Sequence, residues 1–336
     1  MALLQKRALL RRFDLAIQDA GARLIYRSQQ GRHPASYTVL HRDSRTSRVL
    51  VYIWNMTHGG GAARPALEYR IQITGISGFQ KSPNEKTLIL GWSEDFEVFA
   101  GFDYRHHSGP LGASPSIQIS QDALRAAQLR GFAPNAKGNG ETAIAFRPDF
   151  AAAYVEHLTA LHDTGGVPAE AAILEKISED PAAVPDADID AAVAPARRVE
   201  IVETRRAARD AQFRRKILGA YGNRCAVCGV QLRLLDAAHV LPVDQPDSTD
   251  DTNNGVALCS LHHRAYDRAL IAFDPAYTIH VNKKQIDELT SLSLAGGLRQ
   301  FQAALKPSLI LPADPRDYPK KSFIAAANRA RGWSAL

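Results

Sequence analysis

Cysteine spacing is the feature that most constrains this chain. Its three cysteines form Cys225-x2-Cys228 and, thirty residues later, the start of Cys259-x2-His262, within a sequence of 336 residues. An odd number of cysteines in an otherwise ordinary composition excludes a disulfide framework. Three thiolates and an imidazole suit the tetrahedral coordination of a structural Zn²⁺, and each short spacing lets one turn or helix start present two ligands. The sequence therefore predicts a structural zinc site, with three buried free thiols as the alternative.

Three further polar residues lie among and beside these ligands, in the order His239, Asn254 and His263. The stretches that contain them and the first cysteine pair are CAVC, DAAHVLP, NGVALC and HHRAYD, which resemble the HNH nuclease family. The similarity is to the branch with a zinc-stapled ββα-metal fold found in bacterial restriction enzymes, and it covers residues 221–273, about one-sixth of the chain. The resemblance implies a metal-dependent endonuclease that hydrolyses phosphodiester bonds in DNA.

The resemblance also implies a role for each of the three polar residues. His239 would be the general base that activates water, a task suited to an imidazole. Asn254 would orient the loop after His239 through backbone hydrogen bonds, although Asn-Gly is also a common turn pair. His263 would bind the catalytic cation. Asp267, one helical turn after His263, would share that ion, or would instead be a solvated residue beside neighbouring arginines.

One position departs from the family pattern. Many members carry an acidic or histidine metal ligand directly before the general base, whereas this chain has Ala238 there. Asp236 is the expected substitute, although strand alternation would place Asp236 and His239 on opposite faces unless a bulge intervenes. Without Asp236 the site would rely on His263, Asp267 and water. A histidine with carboxylates favours Mg²⁺ or Mn²⁺ as the catalytic cofactor, and no organic cofactor is expected.

The rest of the sequence predicts a second domain of the α+β class. Residues 1–162 begin with an amphipathic helix and continue with eight strand-like runs separated by Gly, Pro, Asn and Asp clusters. Few helices separate the runs, so we expect a mostly antiparallel sheet. Residues 163–196 are rich in Ala, Pro and acidic side chains and predict a linker with one short helical turn. Residues 197–336 would form the nuclease domain with a C-terminal extension.

Charge patterning predicts DNA as the partner. The formal net charge is only +6, but eight basic residues lie between positions 197 and 216, directly after the acidic segment. We expect basic side chains of this helix, and of the loops WNMTHGGGAARP and FDYRHHSG in the first domain, to contact phosphates. Plain surface loops are the alternative, since the glycine run lacks the spacing of a nucleotide-binding loop. The expected DNA-binding residues are Arg205, Arg209, Arg214, Arg215, Lys216, Arg64 and Arg105.

These features together predict a restriction endonuclease that acts in defence against foreign DNA. Phosphate contacts carry no sequence information, so the first domain is the expected reader of the target. The alternatives are a reader of modified bases, a DNase toxin or effector, and a non-catalytic zinc-containing DNA-binding module. We expect a homodimer if both strands are cut. No segment has the apolar length of a membrane span, and the charged start differs from a signal peptide, so a soluble cytoplasmic protein is expected.

Overall fold

Two compact units make up the chain in a computed structural model that describes residues 3–28, 31–41, 44–59, 67–164 and 167–333. The units are Met1–Ala211 and Gln212–Leu336. Both combine helices with antiparallel strands, which confirms the α+β fold class. In the described ranges no helix has both the length and the hydropathy that crossing a bilayer requires.

A nine-stranded sheet forms the centre of the first unit. The strands are β1 (Arg23–Tyr26), β2 (Ala35–Leu40), β3 (Thr46–His58), β4 (Glu68–Gln72), β5 (Lys86–Ser93), β6 (Val98–Phe102), β7 (Ser116–Ser120), β8 (Phe132–Ala136) and β9 (Thr142–Phe146). Their main order in the sheet is β1-β2-β3-β5-β6-β9-β8, and β4 pairs with both the long β3 and β7. Of the described pairs, β3 and β5 are parallel and the others are antiparallel.

All eight predicted strand-like runs form strands, and β8 is an addition to them. Its sequence, FAPNA, contains Pro134 and Asn135, which are typical of turns. Proline is tolerated in β8 because this strand lies at the end of the sheet order, where one side of the backbone has no neighbouring strand in that order. Propensity alone therefore could not indicate the strand.

The two faces of this sheet carry separate hydrophobic cores. Alternating residues of β3 show the division, since Val49 and Val51 lie in one cluster and Leu50 and Tyr52 in the other. The first cluster also contains apolar residues of six helices, and the second is completed by β4, β7 and the helix Gln121–Arg130. The helices of this unit are α1 (Lys6–Asp19), α2 (Gln121–Arg130), α3 (Ala151–Glu156), α4 (Leu158–Asp163), α5 (Pro168–Glu179) and α6 (Asp186–Ala192), followed by α7 (Pro195–Ala220), which begins in the first unit and ends in the second.

The predicted linker at residues 163–196 is instead part of the first unit. Ile173, Leu174 and Ile177 of α5 and Ile189 of α6 lie in the same core as α1 and the sheet. The apolar residues at 173, 174 and 177 have helical spacing, but the surrounding Ala, Pro and acidic residues obscure it. Pro168 is compatible with this assignment, because proline is favoured in the first turn of a helix. The boundary between the units therefore lies within α7.

The second unit is built around a hairpin followed directly by a helix. Strands β10 (Leu235–His239) and β11 (Gly255–Cys259) pair antiparallel, and α8 (Ser260–Asp267) starts at the next residue, which gives the expected ββα order. The C-terminal extension packs on this core through Leu309, Phe323 and Ile324. The remaining elements are β12 (Ile271–Phe273), β13 (Ile279–Val281), α9 (Lys283–Ser291), α10 (Leu298–Ala304) and α11 (Lys321–Ala330).

Replacing Leu174 by Ala tests whether α5 belongs to the first core. We expect Leu174→Ala to lower the free energy of unfolding by about 2–5 kcal/mol, because it opens a cavity at a fully buried position. Leu129→Ala, at a position that is 70% exposed, should change it by less than about 0.5 kcal/mol. Urea unfolding followed by circular dichroism measures both. Equally small effects would contradict the packing of α5.

Candidate active site and metal-binding cluster

Cys225, Cys228, Cys259 and His262 form a compact cluster in the second unit. Their candidate ligand atoms all lie within 4.8 Å of one another. Nδ1 of His262 is 3.1 Å from Sγ of Cys259 and 3.6 Å from Sγ of Cys225. Sulfur and nitrogen ligands on one tetrahedral ion are separated by about 3.5 Å. The donor set and its spacing therefore fit a structural metal ion.

Backbone hydrogen bonds fix the turn that carries the first two cysteines. The amide of Gly229 donates to the carbonyl oxygen of Cys225 at 2.8 Å, which closes the turn. The amide of Ala226 donates to the carbonyl oxygen of Ala257 in β11 at 2.7 Å. The amide of Ile310 donates to the carbonyl oxygen of Ala226 at 2.8 Å, so the C-terminal extension also holds this turn. The cluster thus joins three separate parts of the second unit.

The thiols of the cluster differ in their tendency to ionise. Burial raises the pKa of Cys228 and of Cys259. Burial also opposes ionisation of Cys225, but the hydrogen bond to His262 and backbone amides outweigh it and lower the pKa of Cys225. Since a metal ion binds thiolates, a cation in the cluster would supply the positive charge that holds all three in that form.

His239, the predicted general base, is held on two sides at the end of β10. Its Nε2 lies 3.0 Å from Oδ1 of Asp250. Its ring stacks on Phe213 of α7, with ring centroids 3.9 Å apart and ring planes 7° from parallel. The side chain remains 18% exposed, so water and substrate can reach it. The ring is therefore fixed in orientation and still accessible.

Asn254 is fully buried and ties together the loop between β10 and β11. Its Oδ1 accepts from the amide of Leu241 at 2.8 Å. Its Nδ2 donates to the carbonyl oxygen of Thr249 at 2.9 Å and to Oγ of Ser248 at 3.1 Å. The side chain of Asn254 thus connects Leu241, near the start of this loop, with Ser248 and Thr249 further along it. Two of these three hydrogen bonds are to the backbone, and the role of Asn254 in orienting the loop stays a prediction.

Gly255 is needed for close packing rather than for a turn. It is the first residue of β11, and its φ of −129° is ordinary extended backbone. A Cβ at this position would lie 2.0 Å from Cδ1 of Ile217 and 3.1 Å from Cζ of Phe213, both in α7. The interpretation of Asn254 and Gly255 as a simple turn pair therefore differs from the structure. The glycine lets α7 approach the strand beside His239.

His263 lies between two carboxylates in the first turns of α8. Its Nδ1 is 3.7 Å from Oδ2 of Asp236, and its Nε2 is 3.4 Å from Oδ2 of Asp267. Strands β10 and β11 pair residue by residue from 235 to 239, without a bulge, so Asp236 lies on the face opposite to His239 as alternation requires. Each nitrogen of an imidazole binds one partner. An ion bound to one ring nitrogen of His263 would therefore also bind the neighbouring carboxylate. The other carboxylate would accept a hydrogen bond from the second ring nitrogen and so orient the ring.

Asp236 has a second partner in Arg214 of α7. Nη1 of Arg214 donates to Oδ1 of Asp236 at 3.0 Å, and its Nη2 donates to the carbonyl oxygen of Leu235 at 2.6 Å. Phe213 and Arg214 are consecutive, so one turn of α7 contacts both His239 and Asp236. The sequence did not indicate Phe213, which resembles any apolar residue of an amphipathic helix. It did not indicate Asp250 either, which is one of several acidic residues in a polar loop.

Some of the predicted DNA-binding residues are already paired with carboxylates of the chain, and others are exposed. Nη2 of Arg105 lies 2.7 Å from Asp103 and 2.6 Å from Asp163. Arg205 and Arg214 are likewise paired, with Asp186 and Asp236. These carboxylates compete with phosphate for the three guanidinium groups, and their contact with DNA stays a prediction. Arg209 also has a partner within the chain. Arg215 and Lys216 are exposed, and Arg64 lies outside the described residues.

Comparison with known families agrees with this geometry. The family model described as HNH endonuclease matches residues 225–274, which contain the metal cluster, the hairpin and α8. These residues belong to the HNH endonuclease family. The chain therefore contains an HNH endonuclease domain, a type of domain that hydrolyses DNA, and the resemblance seen in its sequence is confirmed. A second model, described as methylase-associated X1, matches residues 47–155 in the first unit.

Similarity beyond these two domains is distant. Among solved structures, a chain described as modification dependent TagI restriction endonuclease matches with 11% sequence identity. The match covers 84% of this chain and 81% of that chain, with a TM-score of 0.27. No curated protein matches the sequence.

Cys259→Ser tests the metal cluster of the HNH domain. Loss of one thiolate should lower the bound metal per chain, measured by elemental analysis, and lower the melting temperature of the second unit, because metal binding contributes to its folding. Leu261→Ala, two residues later and 60% exposed, should change neither quantity. Full metal content in Cys259→Ser would exclude this cysteine as a ligand.

Gly255→Ala tests the close approach of α7 to β11. The added methyl group would displace Ile217 and Phe213, so we expect a loss of about 1–3 kcal/mol in the free energy of unfolding. Gly219→Ala is the matched control in α7, since its added Cβ would meet no atom within 4 Å and alanine favours helix. Thermal unfolding compares the two variants. If Gly255→Ala left the free energy of unfolding unchanged, the space between residue 255 and α7 would have to be large enough for a methyl group.

Proposed function

We propose that this chain is a metal-dependent restriction endonuclease that cleaves double-stranded DNA. The observation that carries the proposal is the arrangement on the ββα core. His239 is partly exposed and oriented at the end of β10, while His263 lies between two carboxylates at the start of α8. A base and a candidate cation site are the two components that phosphodiester hydrolysis requires.

In this proposal each residue has a defined task. His239 takes a proton from the water that attacks phosphorus. His263, with Asp267 or Asp236, would hold Mg²⁺ or Mn²⁺, and a bound cation supplies charge stabilisation at the phosphate and the leaving 3′ oxygen. Asn254 keeps the loop after His239 in place. Cys225, Cys228, Cys259 and His262 would hold a structural Zn²⁺, the ion that three thiolates and one imidazole favour.

Exposed basic residues near the HNH core are the proposed phosphate contacts. Arg215 and Lys216 are exposed and follow directly after the two residues of α7 that contact the active-site side chains. Their contribution to DNA affinity would be independent of the DNA sequence, because phosphates carry no information about the bases. The proposed reader of the target is the first unit, since base edges and DNA shape must be read elsewhere than at the cut site.

A modification-dependent enzyme is the second candidate function. The match to a family model called methylase-associated X1 lies within the proposed reader and supports a link between this unit and DNA methylation.

We further propose a cytoplasmic homodimer, in which two HNH sites would each cut one strand.

His239→Ala tests the nuclease assignment. Purified chain with Mg²⁺ or Mn²⁺ should nick plasmid and phage DNA, and His239→Ala should reduce the cleavage rate by at least about 100-fold, since the base is lost. His280→Ala, which removes a histidine of β13 that pairs with Asp274, should cleave at the wild-type rate. Comparing modified with unmodified DNA, with end sequencing of the products, distinguishes the two restriction functions.

The same experiment can reject the proposal. Wild-type protein that binds DNA but nicks none of these substrates would favour the non-catalytic zinc-containing DNA-binding module. Uniform degradation without preferred ends would contradict restriction and favour a DNase toxin or effector.

A further inference from the structure

We propose that Asp250 is a positioning residue for His239, and that it fixes Nδ1 as the ring nitrogen that takes the proton from water. The inference rests on the proposed function of His239 as general base. It concerns which atom of the ring reacts and what holds that atom in place.

The chemistry of the contact determines the tautomer. An ionised carboxylate only accepts hydrogen bonds, so Oδ1 of Asp250, 3.0 Å from Nε2 of His239, requires a proton on Nε2. A neutral imidazole carries one N–H, so its other nitrogen, Nδ1, has the free lone pair. A general base needs that lone pair before it can accept a proton. Asp250 therefore leaves Nδ1 as the basic atom.

Two perpendicular contacts hold the ring in this state. Asp250 binds an edge of the ring, while Phe213 covers one face, with a centroid distance of 3.9 Å and a 7° interplanar angle. Rotating the imidazole to exchange its nitrogens would break the hydrogen bond, and tilting it would break the stack. The contacts together select one orientation of His239.

Asp250 differs from the other acidic residues of its loop. Asp244, Asp247 and Asp251 are exposed, whereas the side chain of Asp250 is 19% exposed and lies against His239. The residue just before Asp250 is held by Asn254, whose Nδ2 donates to the carbonyl oxygen of Thr249 at 2.9 Å. Because Asn254 is buried, the position of Asp250 is set by the core of the HNH domain rather than by solvent.

The opposite end of the loop is held as well. Tyr266 of α8 donates from its hydroxyl to the carbonyl oxygen of Val240 at 3.1 Å, and Nη1 of Arg331 donates to the same oxygen at 3.0 Å. Val240 directly follows His239. The residue after the base and the residue before its carboxylate partner are thus both anchored, which keeps the His239–Asp250 distance short.

Asp250→Asn compared with Asp251→Asn tests the proposal in the full-length protein. Both variants remove one negative charge from adjacent positions, so their general electrostatic effect on DNA binding is matched. We expect Asp250→Asn to lower kcat by about 10- to 100-fold, the loss usual for a partner that orients a functional imidazole, with KM for DNA unchanged. Asp251→Asn should keep the wild-type kcat. Equal kcat values for the two variants would overturn the proposal.

A spectroscopic measurement tests the tautomer without relying on cleavage. Long-range ¹H–¹⁵N spectra of protein labelled at histidine show which ring nitrogen carries the proton, and the His239 signals are assigned by their loss in His239→Ala. We expect the Nε2–H form in the wild type and in Asp251→Asn, and a smaller fraction of it in Asp250→Asn, whose neutral amide can either accept from Nε2 or donate to it. An Nδ1–H form in the wild type would overturn the assignment. If wild-type protein shows Nε2–H but cleaves no DNA, the proposed function fails while the Asp250 contact stands.

Discussion

The geometry of the second unit depends on the junction between β11 and α8. Cys259 ends the strand and His262 lies in the first turn of the helix, so an ion that binds both fixes the angle at which the helix leaves the hairpin. His263 follows the ligand His262 directly and is therefore displayed on a neighbouring face of the same turn. A structural ion at this junction would consequently set the position of a residue that it does not contact.

The last turns of α7 form the second constraint on the site. Phe213 stacks on His239, Arg214 binds Asp236, and Ile217 occupies the space that Gly255 leaves open. Three side chains within one and a half turns thus contact both strands of the hairpin. One helix therefore supports both the proposed base and the proposed cation-binding residues, so a local shift of α7 would disturb both.

Local patterns in the sequence were sufficient to predict much of the fold and the site. Alternating apolar runs predicted eight strands, and paired ligand spacing predicted the cluster around Cys225, because both depend on neighbours in the sequence. The helical spacing at Ile173 and Leu174 was present but obscured by alanine and acidic residues. Asp250 and Phe213 could not be predicted, because their contacts with His239 depend on how distant segments pack. The same holds for Arg214 and Asp236, which are 22 residues apart in the sequence.

The internal ion pairs of α7 change what its basic sequence means for DNA binding. At least four of the eight basic side chains between positions 197 and 216 pair with carboxylates of the chain, namely Arg197 with Glu170, Arg198 with Asp190, Arg205 with Asp186 and Arg214 with Asp236. A guanidinium that is paired within the chain must leave or share its carboxylate before it can bind a phosphate, so it contributes less to DNA affinity than an unpaired one. Each phosphate contact that does form adds about 0.9 to the slope of log affinity against log salt concentration. DNA affinity should therefore depend less steeply on salt concentration than eight unpaired basic residues in this helix would predict.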